Sequence, residues 1–461
     1  MMKIRTVALL FVCTLVFCFL FSQNISSDST IIRNEKNAER LSHLGLFAGG
    51  TSGFELDRRP TRAEAAVMLV RMTGKEDEAA AGYYSHPFTD VPPWADHYVG
   101  YLYENGLTSG ISAKLFGSNQ FISVDQYVTF VLRALGYSDA QGDFKSRDSL
   151  TKAGQIKLLT DDEIVYYSSK GEFLRDDIIG ITINALATLL KDSDQSLLDK
   201  LIYEEGVVDE RAAIESGFII DKQVVFKDPA LEAVIRELIR KREGALFASD
   251  IRNIVEIKAE RMGITSLEGL QECKRLKGLF VGYNEITDLE PVRELRFLTT
   301  LFINNNKISN IDPLGKLTNL KTLNMLKNKI TDIEPLESLT ELQFLAIGNN
   351  SVKDISYVAN LTNLETLSLL DLDLNDIEPI ENLTNLRWLD LRLNNISDLK
   401  PLSSIKNLNY LALSFNKISD ITPLSGLKNL KTLKLSNNPI TDFSPVKDIY
   451  DQLEEKDFTI K

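Results

Sequence analysis

Cysteine and histidine are scarce in this chain, with three of each among 461 residues. Cys13 and Cys18 lie in an apolar N-terminal stretch, so a processed chain keeps Cys273 alone and cannot close an intramolecular disulfide. His43, His86 and His97 have no partner at metal-ligand spacing, which leaves them structural duty. There is no Gly-x-Ser-x-Gly, no phosphate-cradling glycine loop and no histidine near Cys273 in sequence. Paired carboxylates occur only on a repeat lattice. No enzyme, cofactor or metal is therefore expected. A basic excess is lacking too: 52 Lys and Arg face 65 Asp and Glu, a net charge of −13. Nucleic acid is excluded as a general partner, because a phosphate backbone calls for a concentrated basic surface, although a local basic groove could still meet a polyanion.

Long hydrophobic runs are limited to one. Lys3 and Arg5 precede an apolar stretch from Val7 to Phe21, followed by Ser22-Gln23-Asn24, the order of an export signal over 1–23. Bulky Phe19, Leu20 and Phe21 stand where a cleavage site favours small residues, so an uncleaved N-terminal anchor stays open. Cys18 after Leu15-Val16-Phe17 is a poor lipoprotein site. Membrane contact is expected only through this segment, and the remainder is expected outside the cytoplasm.

What is present is repetition. Asn284, Asn306, Asn328, Asn350, Asn394, Asn416 and Asn438 fall on a 22-residue lattice with Leu372 at the missing position. The unit reads Leu408, Leu411, Leu413, Asn416, Ile418, Ile421, Pro423, Leu424, and about nine such units fill 254–450. Alternation around Leu411 and Leu413 makes a short strand with one face inward, and stacked strands make a parallel concave sheet. The asparagine amide is expected to satisfy backbone groups of adjacent coils. Proline and the short period favour turns or 3₁₀ segments on the convex side. The column Asp288, Asp332, Asp354, Asp376, Asp398, Asp420 and Asp442, with Asn310 in register, reads as turn capping. Leu372 predicts a locally perturbed coil.

A solenoid exposes apolar core at its ends and needs caps. Asp228 as N-cap, Pro229 at the first helical position, and Leu231, Val234, Ile235, Leu238 and Ile239 on one face predict a helical cap within 222–253. With Ile264-Thr265-Ser266-Leu267-Glu268-Gly269-Leu270 and the Ile-Thr-Asp-Ile-x-Pro-Leu repeat endings, residues 222–450 resemble the internalin family of bacterial surface proteins. The separate domain that follows the repeats in that family has no counterpart before Lys461, and 451–461 is expected to be a small C-terminal cover. Outward positions read off the strand register include Phe280, Tyr283, Phe302, Leu326, Phe344, Leu370, Trp388, Leu393, Tyr410 and Phe415. Exposed aromatics of this kind mark a protein-binding surface.

The first half repeats differently, in helical units over 30–76, 86–138 and 140–217. The first carries Leu44-Gly45-Leu46-Phe47-x-Gly49, Phe54 and Pro60-Thr61-Arg62-Ala63-Glu64 before an apolar run. The second carries Phe88-Thr89-Asp90-Val91-Pro92, Trp94, Gly106-Leu107, Gly110, Phe116-Gly117 and Ile122-Ser123-Val124-Asp125-Gln126. The third, degenerate unit keeps Phe144, Leu158-Leu159 and Phe173-Leu174-Arg175-Asp176-Asp177. These resemble S-layer homology repeats. The resemblance implies a compact α-helical three-repeat domain that binds acidic, often pyruvylated, cell-wall polysaccharide. By it, Thr61, Arg62 and Glu64 form the signature, Arg62 pairs with a glycan carboxylate, Asp90 and Trp94 border the groove, and Arg175 repeats Arg62. Val124 stands where the second unit should carry arginine, so one groove of three lacks its charge.

The chain is thus expected to be multidomain, an S-layer-homology-like helical domain followed by a leucine-rich solenoid. The expected role is a secreted bacterial cell-surface protein, wall-bound at one end and presenting the arc to a protein at the other. A scaffold for assembly of the organism's own envelope is the alternative, and a glycan-processing enzyme a third.

Overall fold

A computed structural model describes residues 32–50 and 52–460, and the chain divides into two compact units after Ser216. The export-signal segment 1–23 lies outside the described residues. Among those described, no helix is long and apolar enough to cross a membrane.

The first unit is helical. Its centre is made by three helices, Arg62–Met72, Val124–Ala134 and Arg175–Ala187, whose side chains are mostly buried, as expected of helices packed on several faces. Each begins at a cap readable in the sequence. Thr61 Oγ1 accepts from Glu64 N while the Glu64 carboxylate accepts from Thr61 N; Ser123 and Gln126 repeat this exchange. At the third helix Leu174 has no hydroxyl, and only the Asp177 carboxylate remains to accept, from Leu174 N.

Two of these N-termini dock on a neighbouring unit in the same way. Arg62 N and Ala63 N donate to the carbonyls of Gln120 and Ser118, and Arg175 N and Asp176 N donate to those of Arg58 and Leu56. Val124, the third first-turn residue, makes no such backbone bond among the described residues. Side chains at the helix starts are therefore set against an adjoining repeat.

The second unit opens with a two-stranded antiparallel ribbon, Gln223–Val224 with Leu246–Phe247, and the helix Pro229–Ile239. Asp228 caps that helix, accepting from Ala230 N and Leu231 N, and its other oxygen accepts from Thr265, so cap and first coil share one carboxylate. Leu231 and Ile235 are buried and Val234 and Ile239 partly so. Leu238, expected on the same face, is half exposed. It lies on the same face by spacing but in the last turn of the helix, just before left-handed Arg240.

Ten parallel strands follow in strict sequence order from Glu256–Lys258 to Glu455–Lys456, the last supplied by the C-terminal tail. Register advances by 22 residues at each step between the repeats, as in Thr366 to Trp388 to Tyr410. In one coil Leu408, Leu411, Leu413, Ile418, Ile421, Leu424 and Leu427 are all buried. Prolines lie in the first turn of convex 3₁₀ segments such as Asp312–Lys316 and Thr422–Gly426. Leu411→Ala is expected to destabilise the solenoid by about 2–5 kcal/mol, because a close-packed stack relaxes little around a lost side chain.

The asparagine lattice forms a ladder. Asn416 Nδ2 donates to Leu391 O of the preceding coil and Leu413 O of its own, while its Oδ1 accepts from Ile396 N. The aspartate column caps turns: each residue accepts from the backbone N–H two positions on, as Asp288 from Glu290 and Asp420 from Thr422, with Asn310 doing the same for Asp312.

At Leu372 the sheet register is unbroken, so the stack itself is not disturbed. The perturbation is confined to the turn. Asn394 of the next coil takes both Leu372 N and Leu374 N, and Asp373 adopts a left-handed φ of 61°. The first coil does the same where Met262 holds the lattice position: Asn284 takes Met262 N and Ile264 N, and Gly263 is left-handed at 72°. The next asparagine thus takes up the backbone N–H of the residue that stands in the missing position.

Candidate functional site: a buried guanidinium and an aromatic concave face

Arg62 is 5 % exposed, its guanidinium 5.0 Å from the Phe116 ring centre and 4.8 Å from that of Phe130. Its Nε is buried without a hydrogen-bond partner. A buried donor on a charged group carries a large desolvation cost when unmatched; Arg59 Nε in the same unit shares this state. The Arg62 side chain lines a cavity of about 280 Å³ together with Ser109, Gly110, Ile111, Gln126, Thr129, Phe130, Arg133 and Ser146. Burial, then the nearby Arg133, pulls the Arg62 pKa down to about 10, against Asp90, so the group stays cationic at neutral pH. Arg133 is oriented by two bonds to Asp139, at 2.8 Å each, and one to Leu107 O. Ser146 Oγ donates to the same Asp139 carboxylate.

The other residues predicted for glycan contact are placed apart in role. Thr61 and Glu64 are engaged in the helix cap, and Glu64 also takes two bonds from Arg58, at 2.9 and 2.7 Å. Asp90 accepts from the backbone N–H groups of Phe116, Gly117 and Ser118, fixing the loop that carries Phe116 against Arg62. None of these three side chains lines the cavity, and all three already hold partners within the protein. Trp94 is half exposed and is not among the residues lining the cavity. Arg175 is as buried as Arg62, but its Nε donates to Phe54 O at 3.0 Å, with its guanidinium over Phe47. Sequence reasoning missed Arg133 and Gln126 as lining groups; they lie nine and two residues after Val124 on the same helix.

On the second unit, Trp388 and Tyr410 stack at 4.7 Å and 11° between planes, and Phe280 and Phe302 at 5.2 Å and 27°. Phe344 shares the row of Trp388 and Tyr410, with Thr366 on the strand between. Leu370, like the strand aromatics, is half-buried, whereas Tyr283, Leu393 and Phe415 are exposed at 43 %, 46 % and 51 %. Arg261 covers the Tyr283 ring at 3.8 Å. Among the described residues no group of histidine, cysteine or carboxylates could hold a metal ion.

With this geometry in place the comparisons with known proteins become informative. Residues 87–123 match the S-layer homology domain family, and residues 296–338, 384–426 and 406–448 match the family described as Leucine Rich repeats (2 copies). The chain carries an S-layer homology domain and leucine-rich repeats. Over 127 residues it is 31 % identical to the Middle cell wall protein of Brevibacillus brevis, covering 27 % of this chain and 12 % of that protein. Over 151 residues it is 32 % identical to a Cell surface protein of Thermoanaerobacter kivui, covering 32 % and 19 %. The chain thus spans less than a fifth of either relative. Among solved structures, an internalin from Listeria monocytogenes is 30 % identical at a TM-score of 0.45, covering 50 % of this chain and 75 % of its own. Internalin C2 of the same organism is 32 % identical at 0.41, covering 52 % and 99 %.

Proposed function

We propose that this is a bacterial cell-surface protein held on the wall through the Arg62 groove, with its leucine-rich concave face binding a protein. The observation that carries the wall assignment is that Arg62, whose buried Nε has no hydrogen-bond partner, lines a cavity beside Arg133. A glycan carboxylate, such as that of a pyruvyl ketal, offers the acceptor this donor lacks, and charge-assisted bonds of this type are the strong ones. Nothing in the groove pairs an acid with a base set apart from the fold's own contacts, and binding without turnover is the reading that results.

The test is binding of the full chain to purified wall sacculi before and after the wall carboxylates are amidated. Retention on native walls and release from amidated walls is the expected outcome; equal retention on both overturns the assignment. The names of the wall-protein relatives favour a second reading of the arc, in which its partner belongs to the same cell envelope. Pull-downs with the full chain from self and host extracts separate the two.

A further inference from the structure

The buried asparagines of the lattice are engaged at both ends of the amide. Asn284, Asn394 and Asn416 each donate to carbonyls of two coils and accept from a backbone N–H of the preceding coil. Asn304 is buried to the same degree, at 7 % exposure, but lies off the lattice at an outward position two residues after Phe302. Its side chain makes no hydrogen bond to a described residue. A nearly buried amide with neither donor nor acceptor matched is costly, and its place on the concave face points to a partner from outside.

The surroundings hold this amide in place and leave it without charge. By register Gly282 lies on one side and Leu326 on the other, with Phe280, Phe302 and Asn324 in the adjoining row. A Cβ on Gly282 would stand 2.7 Å from Asn304 Oδ1 and 3.3 Å from Nδ2, so the amide lies directly over that glycine. Any side chain there would push it away. Asn324 Oδ1 is taken by Leu326 N at 3.2 Å. Charges begin further out and carry both signs: Lys258, paired to Glu256 at 2.6 Å, and Glu260 on one flank, Lys327 on the other. A charged group held against this amide and two rings would be desolvated without a counter-ion. The fitting complement is neutral and both donates and accepts.

Resting on the reading of the concave face as a protein-binding surface, we propose that Asn304 binds the main chain of an extended segment of the partner. In extended chain the N–H and C=O of one residue are exchanged as a pair with an opposing residue, and a primary amide offers the same donor and acceptor. The half-buried Phe280 and Phe302 rings, stacked at 5.2 Å, and the exposed Tyr283 flank the contact and take apolar side chains of the segment. Main-chain groups inside helices and inner strands are already paired, so the segment bound is a loop, a tail or an edge strand.

The probe is a phage-displayed library of random dodecapeptides selected on the full chain, with enriched peptides resynthesised carrying an N-methyl group at each position in turn. Peptides that lose binding in Phe302→Ala report on this site. One N-methyl position is expected to weaken them about tenfold or more, a loss of about 1.4 kcal/mol. Asn304→Leu is expected to weaken the parent peptide similarly and to bind parent and N-methylated forms alike, as coupled groups do. Leucine already stands in this column at Leu326 and Leu370, so the fold is kept, and thermal melting checks it. Gly282→Ala, which displaces the amide while leaving Asn304 present, is expected to weaken binding in the same direction. Peptides that need Phe302 but ignore Asn304→Leu, or respond to it with no matching N-methyl position, overturn the inference and leave the concave-face reading standing. So do peptides that depend on Trp388 alone, and neutral oligosaccharides captured on this face in place of peptides. Absence of any peptide sensitive to Phe302→Ala or Trp388→Ala overturns both.

Discussion

Arg62 and Arg175 open equivalent helices, dock their backbones on equivalent loops and are equally buried, yet only one leaves its Nε unmatched. The difference lies in what surrounds each. Arg175 meets Phe54 O across its groove, whereas Arg62 meets two phenyl faces and a second arginine. Val124, the third member, brings no charge at all. A repeat signature therefore marks a position without fixing its contacts: one arginine keeps an unmatched Nε, one is tied to Phe54 O, and the third site is the apolar Val124.

Substitutions that break this comparison have graded effects. The largest is expected from Arg62→Ala, which on the proposed reading removes a charge-assisted contact worth about 1.5–3 kcal/mol; titration with soluble wall polysaccharide, at a temperature where the variant is folded, should show a tenfold or greater loss. Arg175→Ala should do the reverse. It strands Phe54 O and empties a packed position, so thermal unfolding is expected to show a loss of about 1–3 kcal/mol with wall affinity retained.

Asp139 sharpens the comparison through pH. Its hydrogen bonds from Arg133 hold its pKa down to about 2, below the ordinary carboxylate value. A depressed folded-state pKa contributes stability that is present above the unfolded value and lost as pH falls through about 2. Between about pH 4 and pH 2 the wild type should therefore lose more stability than Asp139→Asn, and acid titration of the melting temperature checks this. The smallest effect concerns the leucine-rich coil that carries Leu372. Leu372→Asn offers Val352 N–H the acceptor that Ile330 N–H finds in Asn350, and a gain of about 0.5–1 kcal/mol in chemical denaturation is expected.

Most of the solenoid was legible in the sequence, because a 22-residue period dictates strand, turn and core together. Asn416, Asp420 and Pro423 each act where the pattern placed them. The turn at Leu372 was only half legible: its irregularity could be read, but rescue by Asn394 depends on a neighbouring coil. Leu238 was read as core because helical periodicity fixes a face but not how far along the helix the neighbouring coil covers it. In the first unit the caps at Thr61 and Ser123 followed from local spacing. The separation of Arg62 from Arg175 did not, since it turns on a carbonyl contributed from 121 residues away. Asp90 was read as a groove wall, whereas its three backbone partners lie about 26 residues on and make it the anchor of the Phe116 loop.

The most direct test compares wild type, Arg62→Ala and Arg175→Ala on the same purified sacculi, at a temperature where all three are folded by circular dichroism. Release of Arg62→Ala alone, with Arg175→Ala retained like wild type, is the expected result. Equal retention of both variants, or equal release of both, would contradict the assignment of the wall contact to the Arg62 groove.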